Sequence, residues 1–105
     1  MALYNVQLGT SETNLITNGG STNIAVLSMT FCNTDSTART ITVYAYPSGG
    51  SANATSTIIS ALSINPGDTY VWTTDEKFIL APNDKISAIS DVSAKVSACV
   101  NSLTL

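Results

Sequence analysis

Histidine is missing from all 105 residues of this chain, and that absence removes more chemistry than any other feature of the sequence. Without an imidazole there is no Ser-His or Cys-His nucleophile, and the commonest general base and the commonest metal ligand are both gone. Charge is scarce as well, at 10% of residues against a usual share of about 25%. The four cations, Arg39, Lys77, Lys85 and Lys95, face seven acids for a net charge of -3. They form no stripe that could neutralise phosphates, which excludes nucleic acid as a partner. No run approaches the roughly 20 apolar residues of a membrane span. The first eight residues alternate apolar and polar around neither a basic start nor a continuous apolar centre. The expectation is therefore a protein without a secretory signal, made in a cytoplasm and with no membrane partner.

Cysteine is nearly absent too. Cys32 and Cys99 have no second cysteine or histidine nearby, which excludes a zinc site. In a reducing compartment they are expected to be two buried thiols, and a disulfide stays open only if their strands are neighbours. Asn53-Ala54-Thr55 fits the glycosylation acceptor pattern, but without a secretory signal the match is read as coincidence.

What is abundant is hydroxyl and amide: 29 Ser and Thr and nine Asn, beside a 44% hydrophobic fraction. Thr favours strands and Ser and Asn favour turns over long helices. A chain of this length forms one domain, residues 1–105, burying roughly 60 to 70% of the surface its unfolded form exposes. Few charges also suit close protein contact, because interface centres are depleted of them.

Short alternating segments run the length of the chain. Leu3 to Leu8 places Tyr4, Val6 and Leu8 on one face, with Asn5 and Gln7 on the other. Thr13 to Thr17 ends at Asn18-Gly19-Gly20-Ser21, whose glycines offer the positive φ of a tight hairpin into the next strand. That strand, Thr22 to Cys32, is read with Ala25, Leu27, Met29 and Phe31 inward; Ile24 and Val26 break the alternation, as in a central strand or one covered by a partner. Thr40 to Tyr46 puts Ile41, Val43 and Ala45 against Tyr44 and Tyr46. A small polar loop from Pro47 to Thr57 precedes a strand with Ile58, Leu62 and Ile64 in phase. Two proline turns follow, Asn65-Pro66-Gly67-Asp68 and Ala81-Pro82-Asn83-Asp84. They bracket Thr69 to Thr73, with Tyr70 and Trp72 on one face, the charged Asp75-Glu76-Lys77, and Phe78-Ile79-Leu80. Lys85 to Ser90 and Val92 to Leu105 close the chain, the latter with Val96, Ala98 and Val100 in phase, and Asp91 to Ala98 is the one stretch where a short helix competes. The reading is all-β: an antiparallel sandwich of about eight strands, jelly-roll or immunoglobulin-like.

Asp68, Asp84 and Asp91 would have to converge to hold calcium or to work as a hydrolytic pair. For Asp68 and Asp84 the better reading is turn chemistry, a short acceptor bonding nearby backbone N–H groups. Gly49-Gly50 lacks the Lys and the following helix of a phosphate loop. No catalytic residue, cofactor site or metal site is expected, and the chain is not read as an enzyme. Tyr44 and Tyr46, if Ile41 and Val43 point inward, face out as protein anchors or sugar platforms. The alternately apolar ends, Met1 to Leu8 and Asn101 to Leu105, are candidates for strand addition to a neighbour or a second copy. Tyr4, Tyr44, Tyr46, Leu103 and Leu105 are thus the candidate contact residues.

The segments Phe31-Cys32-Asn33-Thr34-Asp35-Ser36-Thr37-Ala38-Arg39-Thr40, Val43-Tyr44-Ala45-Tyr46-Pro47-Ser48-Gly49-Gly50, Ile64 to Tyr70 and Leu80 to Ile86 resemble small virion structural proteins of tailed bacteriophages, particularly those of cyanobacteria and marine bacteria. The resemblance spans Leu27 to Ala88 and rests on turn motifs in order, CNTD, PSGG, PGD and PxD, with Asn83 where the family usually has Gly. It implies a β-sandwich in the particle, made in the host bacterial cytoplasm. Its expected partners are the major capsid protein or other virion proteins, and it is expected as a homo-oligomer, with a trimer among the options. A capsid decoration or cement protein is the first expectation. A neck, baseplate or tail-fibre component is the second, and a host-surface carbohydrate-binding module using Tyr44, Tyr46 or Trp72 is the third.

Overall fold

Alternating apolar residues every second position, broken by turn residues every few positions, leave the chain one way to bury its apolar faces: sheet against sheet. The computed structural model, which describes residues 2–73 and 78–105, shows nine strands. They are β1 (Ala2–Gln7), β2 (Thr13–Thr17), β3 (Ile24–Asn33), β4 (Arg39–Tyr46), β5 (Thr57–Ile64), β6 (Thr69–Trp72), β7 (Phe78–Leu80), β8 (Lys85–Ser90) and β9 (Val96–Thr104). Sheet A has the order β1-β9-β3-β6, with β7 also paired to β3; sheet B has the order β2-β8-β4-β5. Every pairing is antiparallel.

The pairs nest. β4 pairs with β5, β3 with β6 and β7, β2 with β8, and β1 with β9. The chain is one long hairpin folded at the loop between β4 and β5 and then rolled into two sheets, which is the jelly roll. The expected count of about eight strands is met by nine, with β6 and β7 both pairing with β3. The charged cluster Asp75-Glu76-Lys77 lies outside the described residues.

Between the sheets sit Val26, Met29 and Phe31 of β3, Ile41 and Val43 of β4, Ile86 and Ala88 of β8, and Val96, Ala98 and Val100 of β9. Phe31 is the largest of the fully buried side chains; truncating it to Ala would cost about 3–5 kcal/mol. Tyr70 and Trp72 share a face as expected, and it is the core face, where Trp72 stacks on Phe78 at 4.7 Å between ring centroids.

Two strands depart from simple alternation. In β3 the register to β9 shifts between Val26 and Ser28, a bulge that turns Val26 into the core and leaves Leu27 half-buried. In β5 a bulge at Ser60 and Ala61, where Ala61 takes a φ of 47°, moves Ile59 against the core and leaves Ile58 exposed. The expected inward Ala25, Leu27 and Ile58 are corrected accordingly: Ile24 and Val26 take the core side of β3 and Ala25 lies on the opposite face. Val96 to Thr104 is strand throughout, so no helix forms there.

The expected hairpin at Asn18 to Ser21 is a crossing between sheets, since β2 lies in sheet B and β3 in sheet A. Neither Gly19 nor Gly20 has positive φ. What fixes this corner is the Asn18 side chain, fully buried. Its Nδ2 donates to the carbonyls of Thr22 and Leu80, both at 2.8 Å, and its Oδ1 accepts from Gly20 N at 3.1 Å. Its backbone N–H donates to Asp84 O and its carbonyl accepts from Asn83 N. Asn33, also fully buried, repeats the arrangement at the other proline turn. Its Nδ2 donates to Thr37 O and Ile64 O at 2.9 Å, its Oδ1 accepts from Asp35 N at 3.0 Å, its N–H donates to Asp68 O and its carbonyl accepts from Gly67 N. Each asparagine therefore ties one crossing loop to one proline turn and satisfies backbone groups that the corner would otherwise bury unpaired.

Candidate protein-contact surface

Once the core faces are assigned, the outer faces of the two sheets remain, and they differ in kind. None of the five strands of sheet A contains Asp, Glu, Lys or Arg. Its outer face is built in rows across the strands. Ile79, Ala25 and Leu103 form one row; Ser28, Asn101 and Leu3 form the next; Val71, Thr30, Cys99 and Asn5 form a third. Four large apolar side chains stand exposed on it: Leu3 (66%), Val71 (55%), Ile79 (50%) and Leu103 (41%). An open groove of about 520 Å³, lined in part by Asn5, Gln7, Thr30, Cys32, Ser97 and Cys99, crosses the same face. Asn101 Oδ1 is buried there with no hydrogen-bond partner among the described residues.

Sheet B carries the charge. Glu12, from the loop between β1 and β2, folds over its outer face and accepts from Tyr46 Oη and from Ser87 Oγ (2.7 Å), with Lys85 Nζ at 3.8 Å. The Ser87 bond, then the Tyr46 bond and the Lys85 charge, hold the Glu12 carboxyl below the usual carboxylate range, against a smaller opposing effect of burial. Beside the Asn33 corner, Arg39 grips Asp35 through Nε (2.8 Å) and Nη2 (2.6 Å) and reaches Asp91 at 3.6 Å. The Arg39 bonds and the Ser36 N–H depress the Asp35 pKa, and Asp35 in turn raises that of Arg39.

The five candidate contact residues are divided between these faces. Tyr44 and Tyr46 lie half-buried on the outside of sheet B, as the alternation with Ile41 and Val43 required, but the Tyr46 hydroxyl is engaged by Glu12. Leu103 stands on the outer face of sheet A. Leu105, 58% exposed, follows β9, with its N–H on Asn23 O at 2.9 Å. Tyr4, 44% exposed, sits on the core side of the edge strand β1. Leu3, Val71 and Ile79 complete the sheet A face and were missed, although Val71 and Ile79 alternate with core-packed residues and Leu3 with the Tyr4 and Val6 set, so that all three were readable as outward. Glu12 carried no motif that could have revealed it.

Cys32 and Cys99 are free and half-buried on the outer face of sheet A, not sealed in the core. Their strands are neighbours, but Cys99 pairs with Thr30 and Cys32 with Ser97, so the thiols are diagonal and not opposed. Asp84 does turn work: its carboxylate accepts from Ala81 N (2.9 Å) and Ser48 N (3.2 Å). Asp91 accepts from Thr40 N at 3.2 Å. Among the described residues no three His, Cys, Asp or Glu side chains converge on a metal-sized site.

No protein-family model matches the chain, and no curated protein matches it. Among solved structures, a chain in the structure of infectious bursal disease virus, Gx strain, is similar with a TM-score of 0.51 and 11% identity. The match covers 93% of this chain and 30% of that one. This protein therefore spans less than a third of its viral neighbour, and what the two share is the rolled sandwich.

Proposed function

We propose that the chain is a structural protein of a virus particle, specifically a capsid decoration or cement protein of a tailed bacteriophage that binds the outer face of the major capsid lattice and stabilises the head. The observation that carries this reading is the outer face of sheet A, whose strands hold no charged residue and leave four large apolar side chains exposed, because exposed apolar surface poor in charge on a small domain marks protein contact. The jelly roll supports it, being a recurrent architecture of viral capsid domains, as does the fold likeness to a chain of a virus. The turn motifs supply the tailed-phage attribution. A modest contact repeated over a lattice gains strength by avidity.

The test is to purify particles with and without this chain and expose them to mild denaturant. Decorated heads should survive conditions that open bare ones, and equal survival would end the cement reading. Copy number separates the neck, baseplate or fibre alternative, for which about a dozen copies or fewer would be found in place of hundreds. The carbohydrate reading is weaker because its aromatic residues are engaged: Trp72 packs on Phe78 and the Tyr46 hydroxyl donates to Glu12. In the neighbouring loop, Asn53 and Ser56 cap the short 3-10 turn Ala54–Ser56.

A further inference from the structure

Open sheets have edges, and each edge is a row of unpaired backbone groups unless something guards it. Among the described residues, three of the four edges are guarded. β2 is kinked by a bulge between Asn14 and Ile16. β5 is broken by two register shifts and the positive φ of Ala61. β6 and β7 are split pieces of four and three residues. β1 has none of these devices. Its six residues pair with β9 in unbroken register from Ala2 to Gln7, and the strand contains no charge, proline or glycine.

We infer that β1 is the contact by which two copies of this chain join, antiparallel about a two-fold axis through Asn5, into one continuous sheet. The register follows from which groups are free. Leu8 N donates to Val96 O in the β1–β9 ladder, so by the alternation of an antiparallel pair the even-numbered residues of β1 point their N–H and C=O at β9. Leu3, Asn5 and Gln7 point theirs at the open edge. A second β1 satisfies all of these groups only when Leu3 lies opposite Gln7 of the second copy and Asn5 lies opposite its own counterpart. That pairing joins like face to like face, so both uncharged outer faces of sheet A end up on the same side. On the core side it sets the exposed ring of Tyr4 beside Val6 of the second copy, a favourable aromatic and β-branched cross-strand pair. It also brings a Gln7 carboxamide into the row holding Leu3 and the unpartnered Asn101 Oδ1. Because the strand carries no charge, copying it across a two-fold opposes no like charges.

The inference deepens the particle reading by naming one partner, and it is tested on the isolated chain so that the two fail separately. Sedimentation equilibrium of the whole protein should show a dimer. Asn5→Lys and Asn5→Asp, each placing like charges face to face on the axis at an exposed position, should each weaken self-association by about tenfold or more, and mixing the two variants should restore it. In the wild type, amide exchange at Leu3, Asn5 and Gln7 should slow as concentration rises, whereas Tyr4 and Val6 stay protected at every concentration. A chain that remains monomeric at all concentrations, or a dimer indifferent to both variants, overturns the proposal. A monomer that still co-sediments with capsids would overturn it while sparing the particle role, and a dimer that ignores capsids would uphold it while ending that role.

Discussion

Sheet A and sheet B share one core, yet among the described residues one presents strands without charge and with exposed apolar side chains, and the other a charged, hydrogen-bonded face. The difference originates in a few positions. Lys85 and Arg39 are the charges within the sheet B strands, and Glu12 and Asp35 close over or beside them. On sheet A the outward positions of the same alternating pattern hold Leu, Ile, Val, Ala, Cys and the uncharged Asn, Gln, Ser and Thr. Both sheets bury apolar residues in the one core; what separates their outer faces is how far the outward polar groups are already engaged within the chain.

The largest effect is expected at the corners that hold the two sheets in one frame. Asn33→Ala and Asn18→Ala should each destabilise by about 2–4 kcal/mol in denaturant unfolding, since each strands one buried carbonyl, one part-buried carbonyl and one part-buried N–H. Equal losses would confirm that the two corners do the same work. Next, Ile79→Asp and Leu103→Asp should cut particle association by about tenfold to a hundredfold while leaving the melting temperature close to wild type, because both side chains are exposed. Tyr44→Ala should change association by less than about twofold; a larger loss would move the contact to sheet B.

A smaller effect concerns Glu12. Its carboxyl titrates below its ordinary value in the folded chain, so its stabilising contribution is present above the unfolded pKa and fades as pH falls through the lowered folded one. Glu12→Gln should therefore flatten part of the stability loss below about pH 4.5, read by thermal melts across pH. A wild-type slope unchanged by the substitution would show that the Tyr46 and Ser87 bonds do not discriminate between the charge states of Glu12. Smallest of all is Arg39→Gln, which should alter the melt only slightly and mostly at low salt, since an ion pair at the surface, even a partly buried one, contributes little and is screened.

Much of the sandwich was legible from alternation alone. Ile41 and Val43 facing in, Tyr44 and Tyr46 facing out, and Val96, Ala98 and Val100 in phase all follow from period two. The failures sit where one extra residue enters a strand. A bulge at Leu27 and another at Ser60 and Ala61 shift the phase, and nothing local marks them, because the residue that bulges is chosen by the partner strand. The Asn18 corner misled for a different reason: Asn-Gly-Gly-Ser is good hairpin chemistry, and only the pairing of β2 with β8 shows that the chain is crossing sheets. Yet a clue was present. Asn18 and Asn33 each stand four residues before a Thr, and each meets a later Pro-x-Asp turn. The recurrence is visible in the sequence once the geometry gives it meaning. Glu12 lies far in sequence from Tyr46 and Ser87, and no spacing rule connects them.

The nesting of the strand pairs also bears on the order in which the molecule forms. Only β4 and β5 are close in sequence; each outer pair encloses the one before it, so its loop is short only once the inner pair has closed. Folding is then expected to zip outward from the loop at Pro47 to Ser56, with protection in pulse-labelled amide exchange rising in β4 and β5 first and in β1 and β9 last. An early signal in β1 would refute that order. Under it, the one unguarded edge does not exist until the rest of the sandwich is complete, so immature chains lack the ordered strand that mature ones could pair through.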